Sequence, residues 1–167
     1  MRSLIGNMNG LVVFYSRTGN TKRIAQELAD ELDWDIEEIH DTKKRAGIIG
    51  WLRSGFDAFR EKLTEIKPHE KNPADYEIVL LGTPVWASKM TPAIRTYIKQ
   101  NKENLNSTAF FCTEGAEGAE KLMESLAQYS DTEPIATLEV VQKEIKQNTY
   151  RTKLDKFIQE IEDISGN

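Results

Sequence analysis

Strand-like and helix-like segments alternate along the 167 residues of the chain. Short apolar runs are typical of strands covered on both faces, whereas apolar residues spaced three and four positions apart are typical of helices with one buried side. The predicted strands are residues 11–15, 35–40, 76–82, 108–112 and 135–141. The second has regular apolar positions only at Ile36 and Ile39, so it is predicted to be less buried and to lie at a sheet edge.

A helical pattern follows each predicted strand. The predicted helices contain residues 21–32, 48–63, 93–98, 122–126 and 150–161. Strands that each lead into a helix specify a parallel sheet with helices on both faces. We therefore expect one α/β domain over residues 1–167, with residues 1–9 as a leader of uncertain role.

The second predicted helix is the least regular part of this pattern. Its apolar positions are spaced four, four, three and four residues apart, but three glycines in or beside it weaken the prediction; these apolar positions are Ile48, Leu52, Phe56, Phe59 and Leu63. We interpret Trp51, Phe56 and Phe59 as core or as cover for the sheet, with a lid over a neighbouring site as the alternative. The preceding Lys43-Lys44-Arg45 is interpreted as a solvated charge run.

Composition excludes several classes of function. The net charge of −5 and the pI near 5.2 argue against nucleic acid as the main partner, since binding phosphodiesters requires a clustered basic excess. No run approaches the roughly 20 apolar residues of a membrane span. The single cysteine, Cys112, excludes an internal disulfide framework and favours a reducing, cytoplasmic location, and we interpret it as a small buried strand residue.

His40 and His69 have no spacing that fits a metal site or a catalytic triad, so both are predicted to be surface residues. No metal site is predicted.

The loop after the first strand carries the strongest functional signal. Ser16-Arg17-Thr18-Gly19-Asn20-Thr21 combines hydroxyls, a glycine and an amide directly before a helix. Backbone N–H groups of such a loop converge on one point, and the helix N-terminus adds a partial positive charge. The loop therefore predicts a phosphate site, with a simple helix cap at Asn20 or Thr21 as the alternative.

Two further loops follow the third and fourth strands. The first contains Trp86, which could form a flat apolar wall for a ring or could be ordinary packing. The second begins after Cys112. Because ligands of a doubly wound sheet bind at the carboxyl ends of the strands, we expect all three loops to surround a single site.

The loop at residues 16–21, the stretch Gly82-Thr83-Pro84-Val85-Trp86 and the order of elements from about residue 11 to 164 resemble flavodoxin and its short-chain, flavodoxin-like relatives. The resemblance implies the strand order 2-1-3-4-5 and a non-covalently bound FMN. A single phosphate loop without Gly-x-Gly-x-x-Gly also fits FMN better than a dinucleotide. The residues that the resemblance assigns to the cofactor are Ser16, Arg17, Thr18, Gly19, Asn20 and Thr21 at the phosphate, and Thr83, Pro84, Val85, Trp86, Ala87, Lys89, Cys112, Thr113, Glu114 and Gly115 around the ring.

The chain departs from the family pattern at two places. Ala87-Ser88 stands where many flavodoxins have a glycine after the stacking aromatic, and a positive φ costs a non-glycine residue about a kcal/mol or more. The third loop lacks the tyrosine that usually covers the outer face of the ring. Lys89 is either solvated or close enough to favour the reduced ring.

The resemblance to flavodoxins implies an electron-transfer protein that passes electrons between redox partner proteins as a monomer or weak dimer, with no catalytic side chain of its own. The alternative is a flavodoxin-like FMN-dependent reductase of a quinone or another small acceptor. A phosphate-receiving regulatory domain is set aside, because Tyr15-Ser16 and Thr83-Pro84 stand where that class requires acidic residues.

Overall fold

The computed structural model describes residues 8–165. Five strands form one parallel sheet in the order β2-β1-β3-β4-β5, which confirms the predicted fold class. The strands are β1 (Gly10–Phe14), β2 (Asp35–Glu38), β3 (Ile78–Pro84), β4 (Ser107–Glu114) and β5 (Thr137–Val141). The imperfectly alternating strand β2 lies at an edge, as its pattern predicts. Residues 1–7 of the expected leader lie outside the described residues.

Helices cover both faces of the sheet. Their bounds are α1 (Asn20–Leu32), α2 (Gly47–Phe59), α3 (Pro92–Asn101), α4 (Ala119–Ser130), α5 (Gln142–Gln147) and α6 (Arg151–Ser165). One core contains α1 and α6, and the opposite core contains α3 and α4. The last helix predicted from the sequence corresponds to α6. The short helix α5 was not predicted, and it ends at Asn148, which has a left-handed φ of 55°.

Strand β1 lies inside the sheet, and its neighbours determine where a crevice opens. Every residue of Gly10–Phe14 is buried, and β1 pairs with β2 on one side and β3 on the other. The chain reverses direction of winding at β1, so a crevice opens between the carboxyl ends of β1 and β3. Within residues 8–165, no helix is both long and apolar enough to cross a membrane.

His69 differs from its sequence prediction. It is half-buried, with its ring edge-on to Tyr97 at 5.0 Å, so the surface interpretation is wrong for His69. It is confirmed for His40, which is exposed. Cys112 is fully buried in β4, as predicted, and burial raises the pKa of its thiol well above the usual range.

Candidate cofactor cleft

A cleft of about 310 Å³ opens at the carboxyl ends of β1, β3 and β4. Residues from all three predicted loops line it, so the structure brings these loops together. The lining residues are Arg17, Thr18, Asn20, Thr21, Trp51, Pro84, Val85, Trp86, Thr113, Glu114, Gly115 and Gln142.

The first loop presents unpaired donors to this cleft. Gly19 has a φ of 95°, which turns the chain into α1 in a conformation that glycine adopts without steric cost. Among the described residues, the backbone N–H groups of Thr18, Asn20 and Thr21 have no protein acceptor. The first turn of α1 contains no acidic residue. This donor set fits a phosphate dianion, because helix N-termini leave N–H groups unsatisfied and favour negative charge.

The simple capping alternative is wrong. The residue that caps α1 is Gly19, which has no side chain to cap with, rather than Asn20 or Thr21. Ser16 Oγ instead accepts a hydrogen bond from Gly19 N at 3.1 Å. Ser16 therefore stabilises the loop through Gly19, and it leaves the N–H groups of Asn20 and Thr21 at the helix N-terminus available to a ligand.

Thr21 and Thr113 connect the first loop to the third. Their hydroxyl oxygens lie 2.8 Å apart in a buried hydrogen bond. Beside them, Glu114 Oε2 accepts a hydrogen bond from Ala119 N. Burial, together with the nearby carboxyl of Glu139, raises the pKa of Glu114 to about 7. The carboxyl at this rim of the cleft therefore changes charge near neutral pH.

Trp86 forms a wall of the cleft and is held from two sides. The ring of Tyr15 meets it edge-on at 5.6 Å between centroids. The guanidinium of Arg45 lies 5.8 Å from the Trp86 ring centroid, within the range of a cation–π contact. The ring is thus positioned before any ligand binds.

Arg45 corrects an interpretation made from the sequence. It is buried, whereas Lys43 and Lys44 are exposed, so only part of the basic run is solvated. The guanidinium of Arg45 contacts Asp41 at 2.6 Å and Asp57 at 3.1 Å. These two carboxylates supply the charge compensation that a buried cation requires.

Ala87 and Ser88 form a tight turn beyond Trp86. Both have a left-handed φ, at 50° and 59°, and paired hydrogen bonds between Trp86 and Lys89 close the turn at 3.0 and 2.9 Å. Positive φ at both central residues matches a type I′ turn, which usually contains glycine or asparagine. The turn is therefore strained, because alanine and serine occupy positions that favour glycine or asparagine.

Lys89 does not line the cleft. Its Nζ lies 2.7 Å from Glu61 Oε1, and it contributes to a separate cavity with Arg95 and Tyr129. Lys89 is therefore ion-paired and still partly exposed to solvent, and its ammonium group does not contribute to the lining of the cleft.

Five other residues predicted to contact the cofactor do not line the cleft. Thr83 and Cys112 are fully buried under the cleft, and Thr83 Oγ1 contacts the Pro84 carbonyl at 2.9 Å. Ala87 lines a neighbouring cavity instead. Ser16 and Gly19 set the shape of the first loop, as described above.

The sequence reasoning missed Gln142 as a site residue. Gln142 begins α5 directly after β5, so the rule that ligands lie at strand ends could have identified it. For Trp51 the sequence predicts only a place in the core, in the cover of the sheet or in a lid. It lies on α2, and no local signal indicates that this helix reaches the cleft.

The burial predicted for α2 is wrong. Its buried residues are Gly50, Ser54, Asp57 and Ala58, whereas its bulky apolar side chains point to solvent. The exposed fractions of Ile48, Trp51 and Phe59 are 80%, 61% and 66%. The helix packs through small and polar residues and is inverted relative to an ordinary amphipathic helix.

This inversion opens a second cavity of about 300 Å³ beside the cleft. The two cavities share Trp51, Val85 and Trp86. Leu52, Phe56 and Ala87 line only the second one. A predominantly apolar pocket thus adjoins the edge of the cleft.

Comparisons with known proteins agree with this architecture. A flavoprotein of Lactobacillus acidophilus solved in complex with FMN shares 20% identity with a TM-score of 0.72, covering 84% of this chain and 98% of that one. Oxidised flavodoxin 1 of Bacillus cereus shares 13% identity with a TM-score of 0.54, covering 92% and 97%. A search of the curated proteins found no match. The sequence model of the flavodoxin family matches residues 9–161, and the chain therefore belongs to the flavodoxin family.

Proposed function

We propose that this protein binds FMN in the cleft and uses it to transfer electrons between redox partner proteins. The proposal rests on one observation, which is that a single cleft has a group of hydrogen-bond donors at one end and an aromatic wall at the other. One end offers the free N–H groups of the loop at residues 16–21, and the other offers the held ring of Trp86. A phosphate and a flat ring system are the two parts of FMN.

The residues at the phosphate end would bind without a buried cation. The N–H groups of Thr18, Asn20 and Thr21 and the Thr18 hydroxyl supply charge-assisted hydrogen bonds. Lys22 contacts Glu38 at 2.7 Å, so its charge is engaged outside the cleft. The Thr21–Thr113 hydrogen bond would hold the loop at the phosphate end and the loop at the ring end in fixed positions relative to each other.

The ring end would set the properties of the bound cofactor. FMN supplies the redox chemistry, while the protein orients it and adjusts its electrostatics. Trp86 would cover one face of the ring, and the Thr113, Glu114 and Gly115 segment would meet its polar edge. Because Glu114 titrates near pH 7, the local charge would depend on pH in the physiological range.

A reductase acting on a quinone or similar small acceptor is the second candidate. It is favoured by the apolar cavity of about 300 Å³ that shares Trp51, Val85 and Trp86 with the cleft. That volume is at the lower end of the range for small-molecule sites. An acceptor held there would lie next to the proposed ring position.

Cofactor binding is tested with Thr18→Ala and with Thr152→Ala, an exposed threonine on α6, as the matched control. Loss of a charge-assisted hydrogen bond is expected to weaken FMN binding by about 1 to 3 kcal/mol, measured by fluorescence titration of apoprotein with FMN. Thr152→Ala is expected to bind like the unaltered protein. Equal affinity in both variants would contradict the assigned phosphate site, and a protein that binds no FMN would overturn the proposal.

Anaerobic redox titration and steady-state assays separate the two candidates. A shuttle is expected to take up electrons in two resolved one-electron steps and to reduce a one-electron protein acceptor. A reductase is expected to take up two electrons together and to turn over NAD(P)H with a soluble quinone. Turnover with quinone but not with the protein acceptor would replace the leading candidate by the second.

A further inference from the structure

Helix α2 presents an apolar surface that nothing in the described chain covers. We call this surface the α2 patch and define it by the exposed apolar side chains of the helix together with Leu63, which lies four residues beyond the end of the helix at Phe59. Its members are Ile48, Ile49, Trp51, Leu52, Phe56, Phe59 and Leu63, each between 41% and 80% exposed. Contiguous exposed apolar surface of this kind marks an interaction site.

The inner face of α2 prevents the helix from rolling over to bury the patch. A Cβ added at Gly50 would lie 2.4 Å from the backbone carbon of Arg45. Ser54 Oγ donates to the Gly50 carbonyl at 2.6 Å, and Asp57 binds Arg45. The small and polar residues therefore fit the protein side, and the orientation of the patch toward solvent is built into the packing.

Exposed cations lie just before, within and just after α2 along the chain, although the whole chain has a net charge of −5. Lys43, Lys44, Arg53 and Arg60 are exposed and have no ion-pair partner among residues 8–165. The cation of Arg60 lies 5.3 Å from the Phe56 ring centroid. This face is thus locally basic as well as apolar.

The charge pattern selects between possible occupants. A second copy docked patch to patch would bring two sets of unpaired cations together, which is unfavourable. An anionic surface would complement them. A helix with a large apolar face of Ile, Leu, Phe and Trp and with flanking Lys and Arg is typical of a helix that lies in the interface of a bilayer.

We propose that the α2 patch docks this protein on a bilayer that contains anionic lipids. Because Trp51 belongs to both the patch and the cleft, docking would also bring the opening of the apolar cavity near the lipid. This consequence rests on the proposed function, whereas the docking itself does not.

Co-sedimentation with lipid vesicles tests the docking. FMN-loaded protein is mixed with vesicles of phosphatidylcholine alone or with about one third phosphatidylglycerol, and the bound fraction is measured at low and high salt. Binding is expected only with phosphatidylglycerol and is expected to weaken as salt rises. Replacing two exposed isoleucines, Ile48→Ser with Ile49→Ser, is expected to lower the partition coefficient by about tenfold or more.

Matched controls separate the patch from general surface effects. Ile164→Ser changes an exposed isoleucine on α6, and it is expected to leave binding unchanged. Lys43→Gln with Lys44→Gln is expected to reduce binding by about tenfold or more, whereas Lys99→Gln with Lys121→Gln, exposed residues elsewhere, is not. Because all substituted side chains are exposed, retained FMN binding and circular dichroism spectra check that the variants fold.

The docking proposal would be overturned if the protein did not sediment with the anionic vesicles, or if Ile48→Ser with Ile49→Ser did not reduce its binding to them. Equally strong binding to polyglutamate would also overturn it, because the partner would then be an acidic protein surface. A dimer that is lost in the isoleucine variant, found together with no vesicle binding, would assign the patch to a second copy of the chain. Failure of FMN loading would test the proposed function separately, since vesicle binding can be measured without the cofactor.

Discussion

Helices α1 and α2 are each 13 residues long, and both carry their apolar side chains on one side. In α1 that side faces the sheet and includes the fully buried Ile24 and Leu28. In α2 it faces solvent, and the buried side contains Gly50 and Asp57. A periodic apolar pattern thus defines a face without defining what the face contacts.

The two helices are also attached by different forces. Helix α1 is held by apolar burial, which is worth roughly 1.5 to 3 kcal/mol for each fully buried large side chain. Helix α2 is held by the Asp41–Arg45–Asp57 ion pairs and by close backbone packing at Gly50. Substitutions that remove one kind of attachment should therefore affect only one helix.

The largest effect is expected from Arg45→Met. Removing the cation leaves the buried carboxylate of Asp41 without an ion-pair partner among the described residues and leaves Asp57 with only the half-exposed Lys62 at 3.4 Å, which should lower the free energy of unfolding by about 3 to 5 kcal/mol. Urea denaturation measures the loss. Arg53→Met, an exposed arginine of α2, is the control and should change stability by less than about 0.5 kcal/mol. Similar small effects in both variants would contradict an ionic attachment of α2.

A smaller but still large effect is expected from Leu28→Ala in α1. Its side chain is fully buried, so truncation should cost about 2 to 5 kcal/mol through lost burial and the cavity that remains. Leu52→Ala in α2 truncates a side chain that is 58% exposed, and its effect should stay within about 0.5 kcal/mol. Comparable losses in the same denaturation experiment would show that α2 buries its apolar side in solution.

The smallest of these three changes in stability is expected from replacing glycines within α2. Gly50→Ala places a Cβ against the Arg45 backbone and should destabilise the protein by about 1 to 3 kcal/mol. Gly55→Ala meets nothing within 4 Å and should stabilise the helix by up to about 1 kcal/mol. Thermal unfolding measures both. A shift of the same sign for both glycines would contradict the close contact at Gly50.

Local chemistry explains why much of the fold and of the first loop could be predicted. The strand pattern of β1 and the helical pattern of α1 are each contained within a few residues, and β2 shows its edge position by its weak alternation. The loop from Ser16 to Thr21 joins β1 to α1, so its donors follow from the strand–loop–helix order alone. Ten of the sixteen residues predicted around the cofactor line the cleft.

The rest depends on contacts between distant segments. The burial of Arg45 requires Asp57, twelve residues further on, and the ion pair of Lys89 requires Glu61, from another loop. Such charge compensation leaves no periodic signal in the sequence.

The order of local patterns along the chain was enough to determine the parallel sheet and the phosphate loop, because both arise from neighbouring residues. Only the tertiary structure decided that α2 turns its apolar side outward and brings Trp51 to the cleft. Periodicity specifies the angle between the faces of a helix, but the choice of the buried face depends on the complete set of packing and charge contacts.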